Sequence, residues 1–144
     1  MQNIPKKHQT VFNIISEAAQ ELESPVYVVG GYVRDYYLGR SKSGDIDIDF
    51  VTVGSGINLA RKVSDKIKGS SLAVYNQFGT AQVKTGDLEL EFVGARKESY
   101  RKNSRKPLVE DGTLEDDQLR RDLTINALSW SLNKEDYGAL NDPF

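Results

Sequence analysis

The 144-residue sequence contains no cysteine, one histidine and one tryptophan. The first absence removes disulfide scaffolds, thiolate metal sites and thiol nucleophiles, and the single histidine leaves little room for imidazole chemistry. Any catalysis must therefore run on carboxylates. No apolar run approaches the roughly 18–20 residues that a membrane-spanning helix needs, and Met1 to Lys7 lacks the apolar centre of a secretory signal, so a cytoplasmic protein is expected. An excess of one charge is also missing: 19 Lys plus Arg stand against 21 Asp plus Glu, a formal net charge of −2. That excludes a uniformly basic nucleic-acid binder but not charge segregated along the chain. With 38% hydrophobic and 28% charged residues, the composition suits one folded domain or a piece of a larger protein.

What is present is strongly patterned. Val11, Phe12, Ile15, Ala18, Ala19 and Leu22 recur at three- and four-residue spacing and predict a helix over 9–22, ended by Ser24-Pro25. Val26 to Val29 reads as a short strand, Gly30-Gly31 as a tight turn, and 33–38 as a helix stopped by Gly39. Alternation over 45–53 predicts a strand with Ile46, Ile48 and Phe50 on one face and Asp45, Asp47 and Asp49 on the other. Ile57, Ala60, Val63 and Ile67 mark an amphipathic helix that Gly69 can cap. Short strands follow at 72–75 and 80–83, and a turn over 84–87 leads into a strand over 88–93, making a hairpin. Between Arg96 and Lys106, six basic residues (Arg96, Lys97, Arg101, Lys102, Arg105, Lys106) accompany one acid, Glu98, and predict a mobile basic loop. Thr113 resembles the N-cap of a helix that reaches Arg120-Arg121, and 123–132 suits helix or strand equally. His8 is expected at the surface and Trp130 in the core.

Several constellations could carry chemistry. Alternate residues of a strand stand about 6.5–7 Å apart at their roots, so two of the three aspartates could converge on a hard cation such as Mg²⁺. Taken alone, Asp-x-Asp favours the solvated face of an edge strand, since so short a pattern recurs by chance. A calcium loop fails on position, with Phe50 where glycine is needed and Gly56 where a bidentate glutamate should stand. Gly30-Gly31-Tyr32-Val33-Arg34-Asp35 offers backbone N–H groups and a guanidinium to a phosphate, or is simply a tight βα turn. Glu91 could complete a carboxylate set if its strand neighbours that of Asp45; otherwise it decorates an exposed strand face. Arg120-Arg121-Asp122 suits a helix end, and the basic loop suits RNA phosphates or plain solvation.

In order along the chain, five segments carry a resemblance: Val28-Val29-Gly30-Gly31-Tyr32-Val33-Arg34-Asp35; Gly44-Asp45-Ile46-Asp47-Ile48; Glu91-Phe92-Val93-Gly94-Ala95-Arg96; Leu114-Glu115-Asp116-Asp117 with Arg120-Arg121-Asp122-Leu123-Thr124-Ile125-Asn126-Ala127-Leu128; and Asp142-Pro143-Phe144. Together they resemble the N-terminal head domain of the class II tRNA nucleotidyltransferase (CCA-adding enzyme) and bacterial poly(A) polymerase family. The resemblance runs from about Val26 to the last residue. It implies an α+β fold, a small mixed sheet flanked by helices, of the DNA polymerase β-like nucleotidyltransferase type.

It further implies a two-metal transfer of NMP from CTP or ATP to the 3′-hydroxyl of a tRNA or other RNA, with release of pyrophosphate. In that reading Asp45 and Asp47 hold Mg²⁺ and Glu91 is the third catalytic carboxylate. Gly30, Gly31, Arg34 and Arg121 contact nucleotide, with Asp35, Asp122 and Asn126 orienting the arginines and the turn, and the basic residues from Arg96 to Lys106 touch RNA. Asp49 has no family counterpart and is expected to be structural. In the family a neck after the head carries a Glu-Asp-x-x-Arg helix that selects CTP or ATP, with body and tail domains beyond it. The sequence ends before these, so residues 1–144 are expected to be the head of a longer enzyme. The alternatives are a poly(A) polymerase, a partial CC- or A-adding enzyme, or a non-catalytic RNA- or nucleotide-binding module, which would not need two aspartates.

Overall fold

A computed structural model describes residues 4–39, 46–94, 96–99, 108–111 and 128–141. The first element is α1 (Lys6–Glu21), which buries His8, Val11, Phe12, Ile15, Ala18 and Ala19. The expectation of a surface His8 is corrected here: it is 3% exposed. It continues the stripe of Val11, Phe12 and Ile15 one turn back, and its Nδ1 lies 2.7 Å from the Tyr32 hydroxyl, which gives the buried ring a polar partner.

Next come β1 (Val26–Val29), α2 (Gly31–Tyr37), β2 (Ile46–Thr52) and α3 (Gly56–Lys66), whose first turn is capped by Ser55 accepting from the Asn58 N–H at 3.1 Å. The strands β3 (Ser71–Tyr75), β4 (Thr80–Thr85) and β5 (Leu88–Gly94) follow, then β6 (Arg96–Ser99), β7 (Leu108–Asp111), β8 (Ser129–Ser131) and β9 (Leu140–Asn141). Seven strands form one sheet in the order β3-β4-β5-β2-β1-β8-β9; β6 and β7 pair separately. Within the sheet β2 and β5 are parallel and every other pair is antiparallel, a mixed sheet as expected.

Two readings need adjustment. The segment read as a basic loop, 96–106, begins in strand, because Arg96–Ser99 pairs antiparallel with Leu108–Asp111 beyond it; the rest of it, 100–106, lies outside the described residues. The undecided stretch 123–132 includes β8, whose Trp130 faces Val28 of β1; residues 123–127 lie outside the described residues.

The two faces of the sheet differ. Alternate residues Val28, Ile48, Phe50, Leu90, Phe92, Val83 and Trp130 join Phe12 and Ile15 of α1, Tyr32 and Val33 of α2, and Leu59 and Val63 of α3 in one buried core. Phe50 stacks on Phe92 in the central parallel ladder, ring centroids 5.0 Å apart and planes 14° off parallel. A one-residue slip of either strand would put the two rings on opposite faces of the sheet, so this pair holds the β2–β5 register. On the outside, Lys66 bridges Glu21 at 2.6 Å and Glu17 at 3.2 Å, tying α3 to α1. The Lys66 hydrogen bond, helped by Lys62, holds the Glu21 carboxyl below its ordinary range. Among the described residues, no helix is long and apolar enough to cross a membrane.

Candidate active site

The opposite face of the sheet carries the polar set. Residues of β2 alternate, so with Ile48 and Phe50 buried, Asp47 and Asp49 take the other side. The parallel register sets Glu89 opposite Asp47 and Glu91 opposite Asp49. Val29 of β1 flanks Asp49, and Gln82 of β4 flanks Glu91. One rung therefore reads Val29, Asp49, Glu91, Gln82, and the next reads Asp47, Glu89, Lys84. The condition set from sequence for Glu91 holds: its strand is the direct neighbour of β2. Lys84 Nζ lies 3.7 Å from Glu89 Oε1, which partly balances the outer rung. Asp47 and Glu91 are exposed, and Asp49 and Glu89 are half-buried.

The glycine turn borders this rung. Gly30 joins β1 to α2 with φ +80°, a conformation that side chains disfavour, and a Cβ there would stand 3.5 Å from Asp49 Oδ2. At Gly31 a Cβ would come within 3.3 Å of Arg34 Nη2, so the guanidinium lies folded back over the turn. Arg34 Nε donates to Asp35 Oδ1 at 3.2 Å. Tyr32, next to Gly31, is anchored in the core, and burial pushes its phenol up to about 12. The turn, the arginine and Asp49 are thus brought together, a placement of Asp49 not expected from the sequence. Its signal was available in the overlap of two Asp-x-Asp patterns across Asp45, Asp47 and Asp49, but choosing between them requires the β2–β5 register.

Asp45, Arg121, Asp122, Asn126, Arg101, Lys102, Arg105 and Lys106 lie outside the described residues. Arg96 and Lys97 are on β6, directly after β5. Among the described residues no three His, Asp or Glu side chains are gathered tightly enough to hold one ion between them. The donors on the face are all oxygens, the set a hard divalent cation takes. A cavity of about 590 Å³ between the end of α1, Tyr27 and residues 133–136 is bordered by different residues from these.

A sheet whose one face is packed by helices and whose other face presents strand carboxylates next to a glycine turn is the arrangement of a nucleotidyltransferase. The chain belongs to the poly(A) polymerase head domain family, which matches residues 26–144. It is 45% identical over 118 residues to the A-adding tRNA nucleotidyltransferase of Aquifex aeolicus, covering 82% of this chain and 14% of that protein. It is similar, at 41% identity and a TM-score of 0.75, to a tRNA nucleotidyltransferase complexed with a primer tRNA and an incoming ATP analog, over 90% of this chain and 34% of that one. Against the Thermotoga maritima CCA-adding enzyme complexed with tRNA-CCA the TM-score is 0.80 at 32% identity, over 99% of this chain and 30% of that one. The chain spans about a third or less of the length of these relatives.

Proposed function

We propose that this chain is the catalytic head of a longer, template-independent RNA nucleotidyltransferase that adds C and A to the 3′ ends of tRNA from CTP and ATP. The observation that carries the reading is Asp49 beside the Gly30-Gly31 turn, on the sheet face it shares with Asp47 and Glu91. Phosphoryl transfer needs positioning and neutralisation of charge more than a protein nucleophile, which agrees with a chain lacking cysteine. Gly30 and Gly31 let backbone approach the triphosphate and Arg34 covers it, with Arg121, Asp122 and Asn126 completing the nucleotide site as the family resemblance implies. The RNA 3′-oxygen bonds to the α-phosphorus, the bond to the β-phosphate breaks, pyrophosphate leaves with that electron pair, and the hydroxyl proton passes to solvent.

For Mg²⁺ the described strand supports Asp47 and Asp49 as holders, with Glu91 beside Asp49, a shift of one repeat from the expected pair Asp45 and Asp47. Bound there, Mg²⁺ supplies positive charge to the triphosphate and to the attacking oxygen. Arg96, Lys97 and the basic residues through Lys106 hold RNA phosphates. A cytoplasmic location goes with this reading.

A second reading, addition of A alone, is favoured by the similarity to the Aquifex aeolicus protein. Extension assays on the full-length protein separate them. With Mg²⁺ and a tRNA lacking its terminus, CTP plus ATP should yield CCA. Extension only of a CC-ended tRNA by ATP would make it A-adding, long A tails a poly(A) polymerase, and binding without any extension a non-catalytic module.

A further inference from the structure

Two aromatic rings stand in water at one edge of the sheet. Tyr75, the last residue of β3, is 48% exposed, and Phe78, in the turn between β3 and β4, is 58% exposed. The register sets Tyr75 opposite Thr80, Thr80 opposite Val93, and Val93 opposite Val51. Tyr75 therefore shares a face with Asp49 and Glu91. It lies one rung along and three strands across from Asp49, about 14 Å sideways and about 7 Å lengthwise.

The ground between is uncharged. Ala73 continues the rung of Asp49, Glu91 and Gln82, and Thr80 lies beside Tyr75. Only Asp47, Asp49, Glu89 and Glu91 make the described part of this face acidic, and all four are on β2 and β5. A polyanion leaving the carboxylates toward β3 moves out of repulsion onto neutral surface. The basic segment starts at the same end: Val93, the neighbour of Thr80, is followed by Gly94 and then by β6 with Arg96 and Lys97. The chain therefore enters its basic segment from the end of β5 nearest Tyr75, and aromatic rings together with cations are the groups by which single-stranded nucleic acid is held without base selection.

We propose that Tyr75 and Phe78 form a stacking platform for unpaired bases of the RNA strand whose 3′-hydroxyl is presented at Asp47 and Asp49. The proposal rests on the transfer reading above and extends the RNA site onto the β3 edge. Stacking on an aromatic face is tolerant of base identity, so the platform holds the strand while its terminal sequence changes with each addition.

The test uses full-length protein and a 3′-truncated tRNA carrying 2-aminopurine at one of its last four unpaired positions, read by fluorescence and by anisotropy. In the wild type at least one label position is expected to be quenched on binding. Tyr75→Ala with Phe78→Ala should abolish that quench and weaken RNA binding roughly 10- to 100-fold, with ATP binding and the urea midpoint unchanged; Tyr75→Trp should keep both signals. Unchanged quench and affinity in the double variant overturn the proposal. So does a dimer that the wild type forms and the double variant loses at equal RNA affinity, which would make the edge a contact between copies. A wild type that shows the quench but extends no RNA overturns the transfer reading and leaves the platform standing.

Discussion

Asp49 of β2 faces Glu91 of β5 across a parallel ladder, and the same aspartate reaches the glycine turn that opens α2. If the metal-holding pair is Asp47 and Asp49, Asp47→Asn and Asp49→Asn should each lower kcat by roughly 10²–10³-fold, the loss found when one group aimed at developing charge is removed. Asp45→Asn should stay within a few-fold of wild type. Single-turnover extension of a truncated tRNA measures this, and a severe Asp45 variant beside a benign Asp49 variant would return the pair to Asp45 and Asp47.

That distinction shows where sequence stops. Period-two alternation put Asp45, Asp47 and Asp49 on one face without the structure, and Val26–Val29 matches its expected strand residue for residue. Which aspartate meets Glu91 depends on register between strands about forty residues apart, and nothing local encodes that. His8 was misplaced for a related reason: its partner, the Tyr32 hydroxyl, comes from another helix. Pairing of Arg96–Ser99 with Leu108–Asp111 was hidden because charged residues interrupt the apolar alternation by which strands are recognised.

Register in turn rests on the core. Phe50 and Phe92 are fully buried and stacked on the face opposite Asp49 and Glu91. Phe92→Ala is expected to cost about 3–5 kcal/mol in urea unfolding. Because one side of the ladder holds the other in place, activity per folded molecule should fall as well; full specific activity in a destabilised Phe92→Ala protein would break that link.

Gly94 closes β5 against the loop that ends β2. A Cβ at Gly94 would stand 2.6 Å from the Gly54 carbonyl oxygen, and one at Gly56 would stand 2.9 Å from the Gly94 nitrogen. Backbone cannot swing aside as a long side chain can, so Gly94→Ala should destabilise by about 1–3 kcal/mol, whereas Gly69→Ala, with open space but φ +79°, should cost about 1–2 kcal/mol from backbone strain alone. Denaturant midpoints with unchanged m-values check both.

Arg34 lies over Gly31 with Asp35 steadying its Nε. Arg34→Ala is expected to raise the KM for ATP at least about 10-fold while leaving the urea midpoint near wild type, and Asp35→Asn should do the same more weakly because the guanidinium remains. Unaltered ATP dependence in Arg34→Ala would remove this arginine from the nucleotide site.

Tyr32 couples the glycine turn to the core and makes alkaline stability readable. Its phenol is pushed up to about 12 by burial at 6% exposure, whereas an unfolded chain titrates near 10. Below pH ~10 the phenol is neutral in both states and its contribution is fully present. Above that the unfolded chain gives up a proton that the folded chain keeps, so this part of the stability is lost as pH rises toward ~12, to a total of about 3 kcal/mol. Tyr32→Phe should be less stable at pH 8 by about 1–3 kcal/mol, since the buried His8 ring loses its hydroxyl partner. The same variant should lack the extra alkaline decline, so the two stability curves converge between pH ~10 and ~12. Urea unfolding of both proteins across that range measures the convergence; parallel curves would show that some other group carries the alkaline loss.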